Sequence, residues 1–158
     1  MMKFHSVVIY VKKIEISKRF YADVLNLEVE LDYDKCVTFK TGISLWELQP
    51  KHVVYPKTDN YGKSEKITTK FELYLETDDI SKVYQNLNQY KVEFLHGILE
   101  EGWGQRTVRF FDPDRNLIEI GESISAYVTR MFKNGMTKAQ IVKKSQLPIE
   151  MVEKIIGA

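Results

Sequence analysis

The feature that most constrains the fold of this 158-residue chain is an internal repeat. Hydrophobic periodicity predicts a strand, a helix and three further strands, and then predicts the same order a second time. The two halves also match at their last predicted hairpins, where residues 39–48 align with residues 111–120 at a constant offset of 72 and share Phe, Leu and Glu. Because neither module buries a sheet face alone, we expect the two to pair.

The periodicity places one module at residues 1–49 and the other at 70–122, with a polar linker at 50–69 and a helical tail at 123–158. In the first module the predicted strands are Val7–Val11, Leu27–Tyr33, Cys36–Phe39 and Ile43–Gln49, and the predicted helix is Ile16–Leu25. In the second module they are Phe71–Thr77, Val92–His96, Gln105–Phe111 and Asn116–Gly121, and the helix, capped by Asp78 or Asp79, runs from Ile80 to Tyr90.

Two sequence motifs carry a resemblance to a known family. The first helix contains Ser17-Lys-Arg-Phe20-Tyr21-Ala-Asp-Val24-Leu25, and the last hairpin contains Asp112-Pro113-Asp114-Arg-Asn116-Leu-Ile-Glu119, preceded by Trp103-Gly-Gln-Arg106. Over about residues 3–122 the chain resembles the vicinal-oxygen-chelate superfamily of glyoxalase I, bleomycin-resistance proteins and extradiol dioxygenases. The resemblance implies an α+β fold in which paired βαβββ modules form an open curved sheet around a small-molecule cup.

The resemblance also implies four ligand positions, one on the first and one on the last strand of each module. Glu119 occupies the last-strand position of the family motif, Glu47 aligns with it in the first module, and counting back from Thr77 places Glu72 on the first strand of the second module. Such side chains hold one divalent metal (Ni, Zn, Mn or Fe) in the metal-using members, and some members use none. Glu119 and Glu72 are the candidate catalytic groups.

The fourth position leaves two alternatives. Anchoring the strand register on Val11 places Ser6 in the ligand position, and because strand side chains alternate between faces, His5 then points to the helix-packed side. A bulge would restore His5 as a metal ligand.

Three carboxylates in one cup repel each other and need a cation or basic neighbours. Arg106 and Arg109 are close enough in sequence for strand alternation to aim one of them inward. The predicted ligand-binding residues are Ser6, Tyr74, His96, Trp103 and Arg106.

Composition excludes several classes of protein. A single cysteine, Cys36, excludes an intramolecular disulfide framework and a thiolate metal cluster. The net charge of +1 gives no overall attraction to nucleic acid or membrane, and no apolar run approaches the roughly 20 residues that span a bilayer. We expect a soluble, cytoplasmic protein with a small-molecule ligand and no nucleic-acid or membrane partner, and a homodimer as in members of the superfamily.

The tail predicts three short helices. The first ends at Gly135, the second begins with a capping box from Thr137 to Gln140, and the third opens at Pro148. Residues 123–158 carry six Lys/Arg and two Asp/Glu, and the helices resemble a helix-turn-helix in outline. Because Glu150 and Glu153 lie on the last helix, where DNA recognition needs donors, the pattern favours a packing or dimer-capping tail.

Together these observations favour a small-molecule-binding protein of the superfamily with an acidic cup and an incomplete set of metal ligands. The alternative is a metal-dependent lyase or isomerase like lactoylglutathione lyase, or a dioxygenase, using Glu47, Glu72 and Glu119 with His5. A ligand-sensing regulator acting through the helix-turn-helix-like tail is the third hypothesis.

Overall fold

The computed structural model describes residues 4–47, 49 and 72–157, which divide into two units. The described residues of the first unit are 4–47, 49 and 112–116, and those of the second are 72–111 and 117–157. The predicted linker at 50–69 lies outside the described residues. No helix in the described part of the chain is long and apolar enough to cross a membrane.

The first unit contains one four-stranded mixed sheet and one helical segment. Its elements are β1 (Val7–Val11), α1 (Ile14–Arg19, followed by a π-helical turn Phe20–Val24), β2 (Val29–Asp32), β3 (Cys36–Phe39) and β4 (Ile43–Glu47). The strand order is β1-β4-β3-β2, with β1 parallel to β4 and the other pairs antiparallel. This is the predicted βαβββ order, with the predicted strand boundaries met closely at β1, β3 and β4.

Alternation along these strands produces one buried face. Val11, Val37, Phe39 and Leu45 are fully buried, and the ring of Tyr21 packs 5.9 Å from that of Phe39. These side chains form the core between the sheet and the helical segment, which fixes the other face of the sheet as the one turned away from the helix.

The second unit repeats the same architecture. Its elements are β5 (Leu73–Thr77), α2 (Ile80–Gln89), β6 (Glu93–Glu100), β7 (Arg106–Phe111) and β8 (Leu117–Glu122). The strand order is β5-β8-β7-β6, with β5 parallel to β8. Asp79 caps α2 by accepting a hydrogen bond from the backbone N–H of Lys82. The α+β class and the repeated βαβββ module are therefore confirmed, and β6 extends to Glu100 rather than ending at His96.

The predicted tail helices are also present, and they belong to the second unit. They are α3 (Ile124–Lys133), α4 (Lys138–Ser145) and α5 (Ile149–Ile156). A small core of their own joins them, made of Tyr127, Val128, Met131, Ile141 and Val152. The predicted capping box from Thr137 to Gln140 is present, and Gly135 adopts a left-handed φ of 89° after α3.

The two family motifs bind each other within the first unit. The buried Asp112 carboxylate accepts hydrogen bonds from the Tyr21 hydroxyl at 3.0 Å and from the backbone and side-chain N–H groups of Asn116 at 2.8 Å. Asp114 accepts a hydrogen bond from the Ser17 hydroxyl at 2.8 Å. The helix motif and the hairpin motif are therefore two parts of one structural contact, and both aspartates are fully used by it.

Candidate functional site

Strand β8 presents its side chains alternately to the two faces of the second sheet. Ile118 and Ile120 are buried on the face covered by α2, where Phe110 and Phe94 stack below the ring of Tyr84. Glu119 points to the opposite face, which we call the open face. Its register partners are Tyr74 on β5 and Arg109 on β7, so these side chains share the open face.

Arg109 lies at the centre of three carboxylates on the open face, which we call the acidic cluster: Glu72, Glu101 and Glu119. Its Nε donates to Glu72 Oε2 at 3.1 Å, its Nη1 donates to Glu101 Oε1 at 2.9 Å, and its Nη2 contacts Glu119 Oε2. His96 Nε2 lies 3.3 Å from Nη1. One guanidinium thus faces three carboxylates, so the negative charge of the cluster is only partly compensated.

Glu119 is the most buried member of the acidic cluster. It is 4% exposed, and its Oε2 contacts the Arg109 Nη2 in an ion pair. Burial raises the pKa of Glu119 to about 7, Arg109 opposes that rise, and the nearby Glu72 and Glu101 add to it. With a pKa of about 7, the Glu119 carboxyl is close to the midpoint of its protonation at neutral pH.

A chain of hydrogen bonds holds two aromatic side chains beside this cluster. The indole N–H of Trp103 donates to Gln105 Oε1 at 3.0 Å, and Gln105 Nε2 donates to the Tyr74 hydroxyl at 2.7 Å. The Tyr74 hydroxyl in turn donates to Glu76 at 3.1 Å. Trp103 and Tyr74 are each 43% exposed, so both present ring surface to an incoming molecule.

Gly121 makes room for this hydrogen-bond chain. A Cβ at Gly121 would lie 2.7 Å from Gln105 Nε2 and 2.9 Å from the Tyr74 hydroxyl. We expect Gly121→Ala to displace both side chains and to lower the free energy of unfolding by about 1–3 kcal/mol. Urea denaturation measures this, and Gly102→Ala is the matched control, because a Cβ there meets nothing within 4 Å. Equal stability of the two variants would contradict the tight fit at Gly121.

Glu47 is not the counterpart of Glu119 that the 72-residue offset predicts. The parallel ladder of the first unit pairs residues 7–11 with 43–47, and that of the second pairs 73–77 with 118–122. When the two ladders are compared pair by pair, Glu47 is equivalent in position to Glu122, and Ser44 is equivalent to Glu119. In its own unit Glu47 accepts the backbone N–H of Ile14 at 2.7 Å and pairs with Lys35, so it caps the start of α1 on the helix-covered face.

The pairing register of the last hairpin differs between the two units. In the first unit Thr38 pairs with Ser44 across residues 39–43, whereas in the second Arg109 pairs with Glu119 across residues 110–118. By the ladders Ser44 corresponds to Glu119, whereas the offset of 72 aligns it with Asn116, three residues earlier. Since side chains alternate, an odd difference of three residues puts the aligned Glu47 on the other face.

The remaining predicted residues lie in different places. Ser6 and His5 precede β1, and Ser6 is half-buried whereas His5 is exposed. In the comparison of the two ladders, Ser6 is equivalent in position to Glu72. His96 lies on the open face, but not together with Phe94 as its spacing suggests, because a register shift between the two residues turns them to opposite faces. Arg106 lies elsewhere, lining a cleft of about 580 Å³ that α3 also borders.

The acidic cluster does not fit the divalent metal that the resemblance implies. A metal ion needs several free oxygen or nitrogen donors around one point, and the Arg109 guanidinium occupies that point here. Among residues 4–47, 49 and 72–157, no group of three or more His, Cys, Asp or Glu side chains is arranged to hold a metal ion. Arg109 supplies the positive charge of the cluster instead.

The sequence patterns did not predict Glu101 and Gln105 as members of this site, and they left Arg109 as one of two alternatives. Glu101 comes from the loop after β6, where no periodicity signals its direction. Gln105 is part of the Trp103-Gly-Gln-Arg106 motif, which could have identified it. Strand alternation was compatible with either Arg106 or Arg109, and the pairing of β7 with β8 places Arg109 beside Glu119.

Comparisons with known proteins agree with this fold. A family model described as a glyoxalase-like domain matches residues 4–125. The uncharacterized protein YraH of Bacillus subtilis (strain 168) is 28% identical over 127 residues, covering 75% of this chain and 97% of that protein. A crystal structure of a protein of unknown function from Agrobacterium tumefaciens is 32% identical, with a TM-score of 0.65 and coverage of 78% and 96%. A lactoylglutathione lyase from Agrobacterium tumefaciens is 20% identical with a TM-score of 0.58, covering 77% of this chain and 93% of its own, and this likeness shows the fold alone. The chain therefore belongs to the glyoxalase-like domain family of the vicinal-oxygen-chelate superfamily.

Proposed function

We propose that this protein binds a small aromatic cation on the open face of its second unit, with the ligand's N–H groups directed at Glu119. The observation that carries the proposal is the charge of the acidic cluster, in which the carboxylates of Glu72, Glu101 and Glu119 share one cation, Arg109. Neighbouring carboxylates with too little positive charge repel each other, and a cationic ligand relieves that repulsion.

The charge of the site supports a cation in particular. Three carboxylates of the acidic cluster face one guanidinium, and below pH 7 a proton on Glu119 reduces the remaining negative charge. A ligand amidinium or guanidinium can supply the same positive charge in place of this proton. Its two parallel N–H groups also match the two oxygens of a carboxylate. Binding of such a ligand therefore displaces the proton from Glu119.

The aromatic character of the ligand follows from the neighbouring side chains. Trp103 and Tyr74 are exposed and are held in fixed orientations through Gln105. Rigid, exposed aromatic rings beside a few well-placed polar groups are typical of small-molecule sites. A planar ring with a cationic substituent can stack on the aromatic side chains and place its charge beside the acidic cluster.

Benzamidine tests the proposal, because it joins a planar ring to an amidinium. We expect calorimetry to detect its binding at pH 8, and to find the affinity about tenfold weaker at pH 6, because the cation competes with a proton whose pKa is about 7. Glu119→Gln should weaken binding about 10- to 100-fold at pH 8 and abolish the pH dependence. Titrations in buffers of different ionisation enthalpy should show proton release near pH 6.5.

Two controls make the result specific. Glu150→Gln removes an exposed carboxylate of the second unit that belongs neither to the acidic cluster nor to the hydrogen-bond chain of Trp103 and Tyr74, and it should leave the affinity within about twofold. Benzoate, an aromatic anion of similar size, should not bind. Equal binding of benzamidine and benzoate, or a stoichiometric metal that is lost in Glu119→Gln when the protein is purified without chelator, would contradict the proposal.

A further inference from the structure

The loop between β6 and β7, residues 101–105, supplies several parts of the proposed site. Glu101 binds Arg109, Gln105 binds Tyr74, and Trp103 presents its ring beside them. Two backbone hydrogen bonds close the loop, from Gly104 N–H to Glu101 O and from Glu101 N–H to Gln105 O, both at 2.8 Å. Whatever fixes this loop therefore also positions Glu101, Trp103 and Gln105 within the site.

Arg130 of the tail binds this loop and the adjacent strand ends. Arg130 on α3 donates from Nη2 to the Gly104 carbonyl at 2.5 Å, and its Nε and Nη2 bind the Glu122 carboxylate at 2.9 and 2.7 Å. Its Nη1 donates to Glu100 at 3.1 Å. Glu122 is itself buried and accepts the backbone N–H of Arg106, so the Arg130 guanidinium joins the end of β6, the loop and the end of β8.

Packing at Gly104 shows that α3 sits directly against the loop. A Cβ at Gly104 would lie 2.6 Å from Met131 Sδ, and the residue adopts a φ of 97° that favours glycine. Met131 belongs to the buried core of the three tail helices. The loop is therefore held by both an ionic contact and a close apolar contact from the tail.

We propose that Arg130 is a positioning residue for the ligand site, and that the tail serves to hold the loop at 101–105 in its binding geometry. The family model ends at residue 125, so this support comes from outside the family domain. The inference rests on the proposed function for its binding consequence, whereas the positioning of the loop is measurable without a ligand. Two of the six basic residues of the tail, Arg130 and Lys144, form ion pairs with carboxylates at the strand ends.

The test uses a Trp46→Phe background, in which Trp103 is the remaining tryptophan of the two. In this background we expect Arg130→Gln to raise the acrylamide quenching constant of Trp103 about twofold and to weaken benzamidine binding about two- to fivefold. Lys133→Gln is the matched control: it removes an exposed positive charge from the same helix, at a side chain that is not among the described contacts of Glu100, Gly104 or Glu122. It should leave both measurements unchanged.

The outcomes separate the two proposals. If benzamidine fails to bind the parent protein while Trp103 still loosens in Arg130→Gln, the ligand assignment is wrong and the positioning role stands. Unchanged quenching and unchanged affinity in a folded Arg130→Gln protein would overturn the positioning role, as would equal effects of Lys133→Gln. Should Arg130→Gln not fold, Arg130→Lys decides, because it keeps a charge against Glu122 without the planar fork that also reaches Gly104; it should show the same changes in smaller degree.

Discussion

Replacing Asp112 with alanine is expected to lower the free energy of unfolding by about 3–5 kcal/mol, measured by urea denaturation at pH 7. The carboxylate is buried and accepts four hydrogen bonds, two of them from Asn116 and one each from Asp114 and the Tyr21 hydroxyl. Alanine removes every acceptor at once and leaves those donors facing a cavity. The tyrosine belongs to the first helical segment, so the loss affects residues far apart in the chain.

Two milder variants show whether the network, rather than the volume of the side chain, is responsible. Tyr21→Phe removes one hydrogen bond and should cost about 1 kcal/mol, whereas Asp112→Asn keeps the shape but loses acceptor capacity and should fall between Tyr21→Phe and Asp112→Ala. An Asp112→Ala protein within about 1 kcal/mol of the parent would show that the two family motifs do not stabilise each other.

Replacing Arg109 with methionine should destabilise the protein by about 3–5 kcal/mol at pH 8 and by clearly less at pH 5. The substitution leaves the carboxylates of the acidic cluster without their shared cation. The folded-state pKa of Glu119 is already raised, to about 7, and Arg109 is the group that lowers it. Removing Arg109 therefore raises the pKa of Glu119 further, and protonation of Glu119 at low pH then relieves more of the repulsion among the three carboxylates.

The sign of the pH dependence follows from which state binds the proton. Between the unfolded pKa of Glu, about 4.3, and the folded value near 7, the native protein holds a proton on Glu119 that the unfolded chain has lost. The contribution of Glu119 to stability is thus present at low pH and is lost as the pH rises through 7. The curve of unfolding free energy against pH should fall more steeply for Arg109→Met than for the parent.

The double variant Arg109→Met/Glu119→Gln completes a thermodynamic cycle. Because glutamine cannot ionise, the double variant should recover part of the stability lost at pH 8 and should lose the excess pH dependence. Strictly additive effects of the two substitutions would mean that Arg109 and Glu119 are not coupled.

Much of the architecture follows from local sequence. Hydrophobic spacing predicted two successive βαβββ modules, and the caps at Thr137 and Gly135 were recognisable because capping is a matter of a few neighbouring residues. The two family motifs were recognisable for the same reason, since each occupies one short segment. That Tyr21 and Asp112 meet was not readable from either motif, because the hydrogen bond joins positions far apart in the chain.

The composition of the site depended on features that act over a distance. The pairing register of the strands decided that Glu119, and not the aligned Glu47, lies opposite the helix-covered face, and a register shift in β6 decided the direction of His96. Between Arg106 and Arg109, alternation alone allowed either to face the acidic cluster, and the pairing of β7 with β8 selected Arg109.

The sequence by itself therefore determined the repeated module, the family and the presence of a cluster of carboxylates, because hydrophobic periodicity and short motifs are properties of neighbouring residues. Only the tertiary structure decided which face each of those carboxylates occupies and which cation meets them. A single odd step in strand register reverses every side chain beyond it, and register is set by turns, bulges and pairing partners that no local pattern records.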